Sequence, residues 1–348
     1  MIPESFGTFG ATGSNLVLPA GLVCDGCNSG VFSPLETRFK EDTDMGLFCQ
    51  MYDVAGQYEV RLKNANCRPQ LPGFFGEDGI KPFPHIILPG HQVVFRPQII
   101  IPGEAGAVRI LLMDKIDPLP RTSRKFRKIK ESLGGRQYSG IQIFGFTNQD
   151  GGNDVRERGI ALLNGLGVTY YERVSNYQAN TYRADSRYEL QYSVSLGRDA
   201  ARILAKVAFN YVAFCASNSG LVDVLRGSEF NVVKDYILGR IDPPIRTVIE
   251  DVSQHTTLFD DMTSGTRLLV HRITFGAESG RLVAWINFFG LMENKIILGD
   301  LPAQFARPNF GCGHAFDPFN KEFYQLTQNR SLVGAGAVGP GFGLFNRI

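Results

Sequence analysis

The sequence predicts an α+β protein, in which a small leading unit precedes a larger mixed α+β body containing an antiparallel sheet. Three observations carry this reading. Residues 197–217 place Ile203, Leu204, Val207, Ala208, Tyr211, Phe214 and Cys215 on one helical face. Residues 267–298 read as three antiparallel strands. Near the start, a Cys-x-x-Cys pair stands between a strand-like segment and a helix signal.

The elements follow in order. Residues 15–18 alternate like a short strand, and Pro19-Ala20-Gly21 turns the chain toward Cys24. Ser33-Pro34-Leu35-Glu36 matches a capping box with Pro at the first helical position, predicting a helix from Ser33 into the early forties. Residues 55–120 are Pro-rich and β-like, with strand patterns at 58–62, 91–95 and 98–101. The stretch 121–137 is the most basic of the chain. A strand is expected at 140–146 and a helix at 154–164, closed by Gly165. In the 197–217 helix, Arg202, Lys206 and Asn210 fall opposite the apolar stripe. A second helix spans about 229–238 and stops at Gly239. Strands are then expected at 267–275, 281–289 and 295–298, and the Gly-rich tail from 334 reads as loose. The expected domains are 1–55 and 56–348, with a further division of the second near 150–195.

Composition narrows the function classes. The net charge of +2 excludes a globally basic nucleic-acid binder, so phosphate contacts must come from local clusters. No run of about 18 uninterrupted apolar residues is present, and no membrane span is expected. Met1-Ile2-Pro3-Glu4-Ser5 lacks the basic and apolar regions of a secretory signal. Six Cys in a chain of 348 residues is too sparse for a disulfide framework. These features predict a reducing, cytoplasmic setting. Phosphate-loop, dinucleotide-fingerprint and nucleophile-elbow motifs are missing from the sequence. That disfavours a nucleotide-driven enzyme, a Rossmann oxidoreductase and an α/β-hydrolase.

Cys24 and Cys27 have the spacing of two thiolates on one tetrahedral zinc, and they supply half of the four ligands that a structural zinc needs. The competing reading is a tight turn with two free thiols. Among the five His, His271 sits in an alternating strand and reads as structural, while Cys312-Gly313-His314 could form a minor metal corner.

Taken together, Ile2-Pro3-Glu4-Ser5-Phe6-Gly7, Leu16-Val17-Leu18 and Val23-Cys24-Asp25-Gly26-Cys27-Asn28 resemble the HNH endonucleases. They are most similar to the branch reading Glu-His-x-x-Pro-x-x-x-Gly and later Cys-x-x-Cys-Asn. The similarity covers about a tenth of the chain; the segments 205–211 and 232–239 also resemble the C-terminal region of that branch. The resemblance implies a ββα-metal remnant at the N-terminus, structural Zn²⁺ at Cys24 and Cys27, and Mg²⁺ or another divalent ion at the scissile phosphate. It implies DNA as substrate, with RNA as an alternative. Asn28 falls on the last motif position and Asn15 is the nearest candidate for the middle one. Without the family, Asn15 is a turn residue before a strand and Asn28 a left-handed turn residue after the knuckle. The family's general-base His lies three residues before the Pro, a position that here precedes Met1. The expectation is therefore an N-terminally truncated or degenerate family member that cuts poorly as written. A non-catalytic nucleic-acid-binding or interaction protein on the same scaffold is the alternative, and a hydrolase or binding site in the C-terminal body is a third.

The basic run offers a second candidate. Arg124, Lys125, Arg127 and Lys128 could track a phosphate backbone while Phe126 stacks on a base. The other reading is a solvated helix face before the Gly134-Gly135 turn.

Overall fold

The computed structural model describes residues 23–53, 58–62, 82–87, 92–104, 107–145, 153–171, 175–178, 197–243, 248–251, 271–288, 292–306, 312–317, 322–328 and 342–347. The fold is mixed α+β, with antiparallel sheets. The predicted strand at 15–18 lies outside the described residues.

A helical turn Asp25–Cys27, a π-helical turn Asn28–Phe32 and a helix Ser33–Asp42 (α1) follow one another without a break. The helix, capped by Cys24, thus begins eight residues before the predicted Ser33 start. Ser33 is not an N-cap: it has αR backbone angles, and its N–H donates to the Asn28 carbonyl. Pro34 explains the wide turn. It has no N–H for the Gly30 carbonyl, and its ring would crowd that carbonyl in a regular α-helix. A π-turn just before it relieves the clash. Thr37 Oγ1 then donates to the Ser33 carbonyl at 3.0 Å.

The chain divides into two compact units, Glu41–Ser195 and the residues on either side of it. The divisions fall after residues 40 and 195, whereas the sequence placed the first near 55.

The inner unit starts with α2 (Asp44–Met51) and carries β1 (Glu59–Leu62), the hairpin β2 (Pro84–Ile87) and β3 (Gln92–Phe95), β4 (Gln98–Pro102) and β5 (Val108–Leu112). Next come α3 (Met113–Ile116), α4 (Arg124–Leu133), β6 (Gln137–Ser139), β7 (Gln142–Gly145), α5 (Asn153–Gly165), β8 (Thr169–Tyr171) and β9 (Ser175–Gln178). Five strands form a sheet in the order β1-β5-β4-β7-β9, in which only β7 and β9 run parallel. Ile99 lies across from Leu111 on one side and Ile143 on the other. Phe126, Ile129 and Leu133 of α4 and Leu162 and Leu163 of α5 bury against this layer. Gly159 sets the approach of α5, since a Cβ there would sit 2.7 Å from Ile143 Cδ1. Buried Gln98 is satisfied by the Phe83 backbone, accepting from its N–H at 2.8 Å and donating to its carbonyl at 3.1 Å.

The outer unit is built on α6 (Arg198–Asn218), α7 (Asn231–Leu238) and the strands β10 (Ile249–Asp251), β11 (His271–Glu278), β12 (Arg281–Phe288), β13 (Met292–Asp300), β14 (Cys312–Asp317), β15 (Glu322–Gln328) and β16 (Phe342–Arg347). They form one antiparallel sheet in the order β10-β13-β12-β11-β14-β15-β16. The tail read as loose therefore contains a paired strand, β16. Helix α7 ends in a Schellman arrangement: Gly239 has φ 72°, and the Arg240 N–H reaches the Asp235 carbonyl at 2.9 Å.

Helix α6 is long and apolar enough by composition to cross a membrane, yet 83% of its most apolar window is buried inside the protein. Lys206 and Asn210, opposite the apolar stripe, are buried as well. Glu36 forms an ion pair with Lys206, whose ammonium also lies 4.8 Å from the centre of the Phe32 ring. Arg38 pairs with Asp199 at 2.5 Å, and Phe39 packs tilted on Phe288 with ring centres 6.3 Å apart. The leading helix therefore belongs to the same unit as α6.

Candidate functional site

The knuckle sits at the start of the first helical turn. Cys24 is the N-cap residue, with extended backbone angles, and its Sγ accepts the Cys27 N–H at 3.1 Å. The sulfur thus takes the place of the Ser or Asp oxygen usual at that position. Both cysteines are free thiols; Cys24 is exposed and Cys27 half-buried. The Cys27 side chain and backbone N–H both hydrogen-bond to Cys24, which holds its thiol below the usual range. Cys27 moves the other way, pushed up chiefly by the Cys24 contact and then by burial. The exposed Cys24 sulfur, whose pKa is shifted downward, lies at the positive end of the helix. The two thiols on one turn, with an N–H···S bond between them, fit half of a tetrahedral zinc site.

Among the described residues no three His, Cys, Asp or Glu side chains come together as a metal cage. Cys49 is in the inner unit, and Cys215 is buried in α6. Asn28 is exposed and helical (φ −65°), which overturns the left-handed-turn reading, and its N–H donates to the Cys24 carbonyl at 2.9 Å. Asn15 lies outside the described residues.

The basic run forms α4 in the inner unit. Ser123 caps it, its Oγ accepting the Phe126 N–H at 3.1 Å. Arg124, Lys125, Arg127 and Lys128 are all exposed, as predicted for a solvent-facing stripe. Phe126 is not available for base stacking. It is 2% exposed, packed into the core, and its ring is covered by the Arg121 guanidinium at 4.6 Å. Lys125 is occupied by Tyr58, donating to its hydroxyl at 2.8 Å and lying over its ring. Among the described residues no carboxylate pairs with Arg124, Arg127 or Lys128. The knuckle and the basic helix belong to different units.

The described histidines serve packing. His314 Nδ1 lies 2.6 Å from the Tyr211 hydroxyl in the interior, so its ring turns into the core rather than toward a metal corner. Tyr211 also stacks edge-on against Phe275, and these rings occupy the space between α6 and the sheet. His271 is fully buried, and burial lowers its pKa to about 3. His85 in β2 is also lowered to about 3, first by burial and then by the Arg96 charge.

Two charged arrangements escaped the sequence reading. One is the Glu36–Lys206 pair. The other surrounds Asp53, which holds both Lys115 and Arg96, the second at 3.3 Å. Asp53 has φ 53°, a left-handed conformation that Asp tolerates. No local pattern announces either one, because their partners are distant in sequence.

Comparison of the chain with protein-family models, curated proteins and solved structures returns no match.

Proposed function

We propose that the chain is an HNH-endonuclease-like protein acting on nucleic acid, DNA foremost, with Cys24 and Cys27 forming half of a structural zinc site. The carrying observation is the knuckle itself: an exposed Cys24, its pKa shifted downward, accepting the Cys27 N–H, with exposed Asn28 on the next helical position. A divalent ion such as Mg²⁺, when bound, would stabilise charge developing on a scissile phosphate. The chain's own contribution is positional. The helix and its π-turn fix the spacing between the thiols and the Asn28 side chain, and the Glu36–Lys206 pair anchors that helix. The sequence contains no Glu-His pair, so we assign no general base and expect binding to outrun cleavage. Exposed free thiols suit the reducing cytoplasm proposed for it.

The unpaired basic helix α4 favours one second reading, a non-catalytic nucleic-acid-binding protein. Incubating the full chain with single- and double-stranded DNA and RNA in Mg²⁺ or Mn²⁺ separates the two. Slow, metal-dependent cleavage that weakens further in Asn28→Ala supports the nuclease reading. Binding without any cleavage supports the second, and the absence of both binding and cleavage contradicts the proposal.

A further inference from the structure

We propose that α4 and the cleft beside it bind the phosphodiester backbone of nucleic acid, with Arg121, Arg127 and Lys130 contacting its phosphates. This deepens the nucleic-acid reading above, but it stands on residues of the inner unit and is independent of the knuckle.

The first observation is local charge. The chain as a whole is nearly balanced, with 36 basic and 34 acidic residues. Within Arg124–Leu133 there are five cations and one carboxylate, Glu131. Arg124, Arg127, Lys128 and Lys130 are exposed. A solvated helix face on a balanced protein would ordinarily carry the two signs in similar number, and this one carries five cations to one carboxylate.

The second is shape. An open cleft of about 860 Å³ runs beside α4, lined by Arg121, Phe126, Arg127, Lys130, Glu131 and Gly165 among others. Arg121 is held on two sides. Its guanidinium lies over the Phe126 ring, and a Cβ on Gly165 would sit 2.9 Å from its Nη1. A guanidinium fixed by packing offers a planar fork of donors that matches phosphate oxygens and loses little freedom on binding.

The third decides between polyanions. A membrane surface would call for apolar side chains to insert. The apolar face of α4, Phe126, Ile129 and Leu133, is already used in the core. Among the described residues the exposed large hydrophobics, Val232 and Ile241, lie in the other unit. Arginine-rich, insertion-free and clefted, the surface fits nucleic acid.

Glu131 gives a test of opposite sign. It lines the same cleft, so its charge opposes a phosphate there. The experiment titrates a labelled oligonucleotide, single-stranded and duplex, with the full chain at several salt concentrations, with far-UV circular dichroism confirming that each variant is folded. Each lost phosphate contact lowers the salt slope by about 0.9 for duplex and about 0.7 for single strands. Neutralising three contacts in Arg121→Gln, Arg127→Gln, Lys130→Gln together is expected to lower it by roughly 2–3. Glu131→Gln tightens binding. Gly165→Ala, which keeps every charge, weakens it several-fold by displacing Arg121. Arg226→Gln, at an exposed residue of the other unit, leaves the slope unchanged, and the zinc content of the same preparations reads the knuckle separately. An unaltered slope in the triple variant overturns the proposal. So does binding to phosphatidylserine vesicles with none to the oligonucleotide.

Discussion

Acidification is expected to unfold this protein through two buried histidines, one in each unit. His85 and His271 are held neutral by burial, with pKa values of about 3. In the unfolded chain each returns to about 6.5. The folded state therefore binds fewer protons than the unfolded state at any pH between these values. Stability from each neutral histidine is fully present above the unfolded value and is lost as pH falls below it. The slope is about 1.4 kcal/mol per pH unit for each histidine. Between about pH 6.5 and about pH 5, where ordinary carboxylates stay ionised, each site loses about 2 kcal/mol. That is a large share of a typical unfolding free energy of about 5–15 kcal/mol. Urea denaturation at about pH 7.5 and about pH 5 measures it. The single tryptophan, Trp285 on β12, reports the unit that holds His271. His271→Gln should flatten the pH dependence seen by Trp285 fluorescence. An unchanged urea midpoint across this range, or an equally steep dependence in His271→Gln, would refute the reasoning.

Three further outcomes are expected. Glu36→Gln leaves the buried Lys206 ammonium with only the Phe32 ring and costs roughly 3 kcal/mol, while adding Lys206→Met restores the melting temperature. Gly239→Ala forces a side chain into a left-handed position beside Arg202 and destabilises by roughly 1–2 kcal/mol in a urea melt. Cys24 should be alkylated by iodoacetamide before Cys27 at neutral pH, as read by peptide mass spectrometry, since its thiol is lowered and exposed while that of Cys27 is raised.

Periodicity and stop signals made much of the fold legible. The stripe in α6 and the stop at Gly239 after α7 read directly from the residues, as did the strand at β12. The α+β class followed from them. What failed was context. Ser33 carries every local mark of a helix start, but the helix had begun at Asp25 and passed Pro34 through a π-turn. Lys206 lies opposite the apolar stripe, but its partner Glu36 lies 170 residues away. Phe126 looked free between cations because nothing nearby shows that it belongs to the same buried core as Ile99 and Leu162. At the site, the Cys24–Cys27 spacing was legible. The asymmetry between the two thiols was not, because it arises from the direction of one N–H···S bond.

Zinc content tests the central claim most directly. The full chain, expressed with zinc and dialysed, is assayed for bound metal, with Co²⁺ substituted in parallel. The account predicts metal bound through Cys24 and Cys27: thiolate-to-cobalt charge-transfer absorption, with both metal and absorption lost in Cys24→Ser and Cys27→Ser. A chain that binds no zinc, or binds it equally well without these two thiols, would contradict it.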